Sequence, residues 1–241
     1  MLKQARFLFH TDLVALLSPH RREAEIDIPP NGDQSVKHLI ESLGVPHTEV
    51  GKVLVNGLQV DFSYLVKEGD QVEVYPSFPV VSANVEQGPP RFILDNHLGR
   101  LAVYLRMLGF DALYRNDFQD EELAQVSSRE GRILLTRDKR LLMRNLVQQG
   151  YWLRSKIPRR QLEEVVRRFG LASIAQPFKR CVRCNEPLVV VRKEDILHRL
   201  KPLTRQYYDE FRQCPACDQI YWKGSHYQRM CQLIEQVLNS A

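Results

Sequence analysis

The chain has 241 residues, 44% hydrophobic and 26% charged, proportions expected of a soluble globular protein with a packed core. No apolar run approaches the roughly 18 residues needed to cross a bilayer, which argues against a spanning segment. The net charge of +5 hides an asymmetry: Lys+Arg number 7 against 11 Asp+Glu up to residue 80, and 27 against 18 from residue 81 onward.

Residues 1 to about 80 read as a small α+β unit. The apolar run RFLFHTDLVALLSP is broken by His10, Thr11 and Asp12 and is followed by no small-residue cleavage site, so the expectation is a folded, cytoplasmic protein. ARFLF and EIDIPP alternate as strands do, and Ser35 is placed to cap a helix presenting Val36, Leu39, Ile40 and Leu43 before Gly44 and Pro46 end it. KVLVNG and QVEVYP supply two further strands, with Asn56-Gly57 as a tight turn. This order resembles the ubiquitin-like β-grasp fold, especially small sulfur carriers. Sulfur carriers end in a free Gly-Gly, whereas here the last strand runs on through Tyr75-Pro76-Ser77-Phe78, so sulfur transfer is disfavoured and a packing, docking or regulatory role is expected, the docking role implying a protein partner. Residues 77 to 90 have linker composition.

From residue 91 the rhythm changes to short apolar strands, RFILD, DALYR, RILLT and YWLR, separated by helical patterns. The first helix carries Leu98, Leu101, Ala102, Leu105 and Leu108; the second opens near Glu121; the third sets Leu142 and Leu146 one turn apart and ends near Gly150. Alternating strands and helices predict a parallel sheet with ligands at the strands' carboxyl ends. Acids recur there: Asp95 ends RFILD, Asp117 and Asp120 follow DALYR, and Asp138 follows RILLT. Each one alone is explained as a helix N-cap. Together they would repel unless a hard cation, Mg²⁺ or Mn²⁺, joined them.

RFILDNHLGRLAVYLRMLGFDALYRNDFQDEELA and GRILLTRDKRLL are similar to the Mut7-C domain, a branch of the PIN-like ribonuclease superfamily. The resemblance implies a Mg²⁺- or Mn²⁺-dependent ribonuclease with Asp95, Asp120 and Asp138 as catalytic acids and Thr136 supporting them. A fourth acidic ligand is open among Asp117, Glu121 and Glu122. Arg137 and Lys139 either grip substrate phosphates or neutralise Asp138.

A basic segment follows, in which Arg154, Lys156, Arg159, Arg160, Arg167, Arg168, Lys179, Arg180 and Arg183 face only Glu163 and Glu164. Its helix opens near Pro158 and turns Leu162, Val165, Val166 and Phe169 to one side. Such a block suits a polyanion, most simply RNA, single-stranded or structured, through residues such as Arg159 and Arg160. Cys181, Cys184, Cys214 and Cys217 form two CxxC pairs, the pattern of a closed structural Zn²⁺ site, although the 29 residues between the pairs call for an insertion. The tail YWKGSHYQRM also looks like the family's; Lys223 is a candidate RNA contact and His226 a hydrogen-bonded structural residue.

The expected architecture is α/β: a β-grasp domain (1–80), a PIN-like domain (91–170) and a zinc ribbon with a C-terminal helix (171–241). The expected function is metal-dependent RNA hydrolysis. The alternative is a non-catalytic RNA-binding or protein-docking module whose acids only cap helices.

Overall fold

A computed structural model of the chain describes residues 4–30, 33–77 and 88–239, so most of the expected linker lies outside the described residues. In chain order the elements are β1 (Ala5–Phe9), β2 (Glu25–Ile28), α1 (Val36–Ser42), β3 (Val50–Val55), β4 (Leu58–Val60), β5 (Gln71–Pro76), β6 (Phe92–Leu94), α2 (Gly99–Met107), β7 (Ala112–Tyr114), α3 (Asp120–Glu130), β8 (Ile133–Thr136), α4 (Lys139–Leu142), β9 (Gly150–Trp152), α5 (Pro158–Arg168), β10 (Val189–Val191), α6 (Lys193–Ile196), α7 (Pro202–Tyr207), β11 (Phe211–Gln213), β12 (Ile220–Trp222) and α8 (Ser225–Asn239). The chain divides into two units, Met1–Phe78 with Asp120–Trp152 and Pro79–Gln119 with Leu153–Ala241.

In the first unit a five-stranded sheet runs in the order β2-β1-β5-β3-β4. The parallel β1–β5 pair is flanked by antiparallel neighbours, and α1 connects β2 to β3. Alternation along β1 sends Ala5, Phe7 and Phe9 inward to meet Leu39, Ile40, Val53 and Val74. Ser35 caps α1 by accepting the His38 amide at 3.2 Å. Asn56 and Gly57 both take positive φ, 50° and 82°, the conformation of a tight hairpin turn, and the chain returns as β4, a strand too short and exposed for its alternation to announce it.

The same unit contains the parallel pair β8–β9. The helix expected to run to Gly150 stops at Leu142 after one turn. Leu146 is 45% exposed, and Val147 beside it is buried. His47 supplies the reason: its Nε2 takes the Val147 carbonyl at 2.9 Å while Nδ1 meets Glu41 at 2.7 Å, and Lys37 bonds the Asn145 side chain at 2.7 Å. Residues 143–149 thus pack along the N-terminal sheet's helix and loops instead of extending α4.

In the second unit β6 and β7 pair in parallel and α2 buries Leu101, Ala102 and Leu105. Helix α5 buries Gln161, Leu162, Val165 and Val166. Phe169 beyond its end is half-buried and meets the Phe92 ring edge-on at 5.5 Å. An antiparallel sheet, β10-β11-β12, follows. Between β10 and β11 the chain inserts α6 and α7, whose Ile196 joins Leu200, Phe211 and Ile220 in a small core, which accounts for the long gap between the cysteine pairs. Among the described residues no helix is long and apolar enough to cross a membrane.

Candidate metal centre and acidic turns

Two knuckles of identical construction bring four thiols together in the second unit. At residues 181–186 and 214–219 the first cysteine's amide donates to the carbonyl five residues on, Glu186 or Gln219, and the residue four on, Asn185 or Asp218, donates back to the cysteine carbonyl. Asn185 and Asp218 take φ of 78° and 63°, a left-handed conformation that Asn and Asp tolerate better than other side chains. Cys181 Sγ lies 3.5 Å from Cys217 Sγ, Cys184 Sγ lies 3.3 Å from Cys214 Sγ, and all four fall within 4.8 Å of one another. A tetrahedral site with metal–sulfur bonds of about 2.3 Å spaces its sulfurs roughly 3.8 Å apart, and a disulfide needs about 2.05 Å. The spacing therefore suits a metal ion.

Burial opposes ionisation of Cys181, yet the Tyr221 hydroxyl, the amides of Cys184 and Arg183 and the Cys217 thiol stabilise its thiolate and bring it down to about 7. Burial pushes Cys184 up to about 12 and also raises Cys217. One sulfur is thus ready to meet a cation near neutral pH, and Cys184 and Cys217 would lose their protons on binding.

The acids stand in turns of two kinds. Asp95, 6% exposed, follows β6; its Oδ1 accepts the Asn96 amide at 2.6 Å and its Oδ2 lies 3.3 Å from His97 Nδ1. Asp117 is exposed and gripped by Arg115, with both guanidinium bonds at 2.9 Å, and this hydrogen bonding holds its carboxyl below the usual range. In the first unit Asp120 opens α3, and Arg144 approaches it at 3.9 Å while pairing with Glu121 at 2.7 Å. Asp138 caps α4, accepting the Arg140 amide at 2.8 Å. Fully buried Thr136 takes the Asp138 amide on its hydroxyl at 2.9 Å, so the Thr-x-Asp spacing builds the turn that presents the carboxylate. Among the described residues, the group of three or more metal-ligand side chains lying within 4.8 Å of one another is the four cysteines.

Comparison with family models matches residues 90–234 to the Mut7-C RNase domain and residues 2–82 to the Mut7-C ubiquitin domain. The chain belongs to the Mut7-C RNase domain family. Comparisons with curated proteins and with solved structures returned no match. The ubiquitin-like reading of the N-terminal sheet stands with the family assignment.

Within this Mut7-C chain three of the basic residues picked from sequence, Lys139, Arg159 and Lys223, have side chains with partners of their own. The Lys139 ammonium bonds the Leu16 carbonyl of the N-terminal domain and lies 4.8 Å from the centre of the Trp152 ring. The Arg137 carbonyl accepts the Trp152 indole N–H at 2.9 Å. Arg159 pairs with Glu163 at 3.3 Å and with the Gln236 side chain at 2.8 Å, and Lys223 pairs with Glu210 at 2.6 Å. Arg160 is exposed, and so is His226.

Two residues with evident roles escaped the sequence reading. Glu49, 3% exposed, accepts the Trp152 amide at 2.6 Å and so ties the ubiquitin-like domain to the end of β9. Arg106, 4% exposed, donates to the carbonyls of Ala112 at 2.9 Å, Val182 at 3.2 Å and Arg183 at 3.0 Å. A charged residue in an otherwise apolar helix face was the available signal for Arg106; nothing local marked Glu49.

Proposed function

We propose that this protein is a Mg²⁺- or Mn²⁺-dependent ribonuclease of the cytoplasm, with a structural Zn²⁺ at Cys181, Cys184, Cys214 and Cys217. The family match over residues 90–234 carries the reading. Asp95, Asp120 and Asp138 are the acids that would hold the catalytic ion, with Asp117 as a fourth oxygen donor and Thr136 holding the Asp138 turn. Oxygen donors of this kind fit hard divalent ions. Such an ion, when bound, lowers the pKa of water and neutralises charge on the phosphodiester. The carboxylates orient the attacking water and accept its proton. RNA is the proposed partner, guided by the basic residues of 154–183, among them Arg160, whose side chain is exposed. The ubiquitin-like domain is the proposed site for a protein partner.

The test is cleavage of single-stranded and hairpin RNA by full-length protein in Mn²⁺ and Mg²⁺. Asp95→Asn and Asp138→Asn are expected to slow cleavage by about 100-fold or more while leaving the melting transition in place. Variants as fast as the parent would remove these acids from catalysis.

A second reading rests on a specific observation: Asp95 and Asp138 each already serve a neighbouring amide as caps. A non-catalytic RNA-binding or docking module would bind RNA with strong salt dependence, indifferent to divalent ions, and would leave it uncut.

A further inference from the structure

Arg106 is a buried cation on which Asp111 acts only through space, without ion-pair contact. Its three hydrogen bonds go to backbone carbonyls, and among the described residues no ion pair joins it. Arg132, buried to a similar degree at 8% exposure, has Glu130 at 2.7 Å. A guanidinium taken out of water is costly unless an opposite charge lies near it. Two of the carbonyls it holds belong to Val182 and Arg183, the residues between the first two cysteines, so the guanidinium sits against the back of a knuckle. Four thiolates around one divalent ion carry a net charge of about −2, and that surplus needs compensation from outside the ligand sphere.

The third carbonyl leads elsewhere. Ala112 opens β7, and its amide donates to the Asn185 side chain at 2.9 Å, while Asn185 also donates to Asp111 at 2.8 Å. The knuckle therefore holds both faces of the Ala112 peptide environment, its carbonyl through Arg106 and its amide directly. At the other end of β7 the Tyr114 hydroxyl donates to the Asn96 carbonyl at 2.7 Å, one residue beyond Asp95. Gly99 permits this approach, since a Cβ there would stand 2.8 Å from the Tyr114 hydroxyl.

We propose that Arg106 is the buried counter-charge of the four-cysteine metal site, and that metal occupancy, acting through Arg106, Asn185 and β7, keeps the Asp95 turn ordered. The proposal rests on reading the cysteines as a metal site and makes Arg106 a positioning residue. Without the ion nothing draws the two knuckles together at their sulfurs, and Arg106 loses the charged centre that holds it between the knuckle and Ala112. The knuckle's grip on β7 loosens, and with it the hold on the Asn96 carbonyl.

The experiment uses full-length protein and zinc. Zinc affinity is measured by competition with a chromophoric chelator for the parent, Arg106→Met and Arg106→Lys, alongside melting of the zinc-loaded and zinc-stripped forms. Arg106→Met is expected to weaken zinc binding by about 10- to 100-fold, with Arg106→Lys recovering part of the loss. If Arg106 were only packing, Arg106→Met would lower both melting temperatures alike and leave affinity within about twofold, and the proposal would fall. Should Arg106→Met not fold, hydrogen exchange on the parent decides: stripping zinc should speed exchange at residues 95–98 and 112–114, and unchanged exchange there overturns the proposal. A parent protein that takes up less than about half an equivalent of zinc overturns the metal reading and this inference together.

Discussion

The turn that presents Asp138 and the turn that presents Asp95 are held by unlike means. At Asp138 the local bond to Thr136 is backed by groups far away in sequence: the Leu16 carbonyl receives Lys139, and Glu49 holds Trp152, whose indole in turn holds the Arg137 carbonyl. These are ordinary hydrogen bonds and ring packing to the N-terminal sheet and its loops. At Asp95 the support runs from a cysteine knuckle through Arg106 and Asn185 to β7 and then to Asn96. A metal ion bound by the four cysteines would brace that arrangement from its knuckle end. The two turns do not share a source of order: one is fastened from the N-terminal sheet, the other from a cysteine knuckle.

The sharpest way to separate the two is to remove the metal. Chelation of full-length protein is expected to lower the melting temperature of the second unit by at least about 10 °C, since structural zinc sites contribute on the order of 10 kcal/mol, while exchange at residues 136–140 of the first unit stays slow. Equal loosening of both turns would erase the contrast. The reverse experiment is Trp152→Ala, which deletes a ring packed against the N-terminal core, the donor to Arg137 and the platform beneath Lys139. It is expected to cost about 2–4 kcal/mol in urea denaturation and to leave zinc content unchanged, with Trp152→Phe costing about 1 kcal/mol for the lost indole donor.

The smallest effect concerns acid. The hydrogen bond from Arg132, with a lesser one from Arg129, holds the Glu130 carboxyl below its usual value near 4.5. A lowered carboxyl pKa stabilises the fold above the unfolded value, and that contribution is lost as pH falls through the lowered one. Denaturation between about pH 5 and 3 should show a loss under about 1 kcal/mol that Glu130→Gln abolishes, because the pair is partly exposed.

Much of this molecule was legible from local pattern. Alternation placed β1, β3 and β5, Asn56-Gly57 placed the hairpin, and Ser35 placed the start of α1, because each of these depends on a few adjacent residues. The paired CxxC motifs announced their site because two tight knuckles need nothing but cysteines at that interval. The failures are all tertiary. Leu142 and Leu146 have helical spacing, yet His47, some hundred residues away, claims the Val147 carbonyl and the helix stops. Lys139, left by the sequence between gripping phosphate and neutralising Asp138, bonds the Leu16 carbonyl and lies near the Trp152 ring, contacts that no local pattern announces. Arg106 looked like one more cation on an amphipathic helix, and only the fold reveals that it points at Val182 and Arg183.

The two cysteine knuckles share one backbone design but are fastened to different things. Asn185 grips Asp111 and the β7 backbone, whereas its counterpart Asp218 pairs with Arg199 at 2.9 Å inside the small C-terminal sheet's own insertion. The four-sulfur cage is therefore anchored on one side to β7 and on the other to the insertion of its own small sheet. Cys184, in the knuckle bound to β7, is exposed and Cys214 is buried, so an oxidant is expected to meet the β7-bound knuckle first.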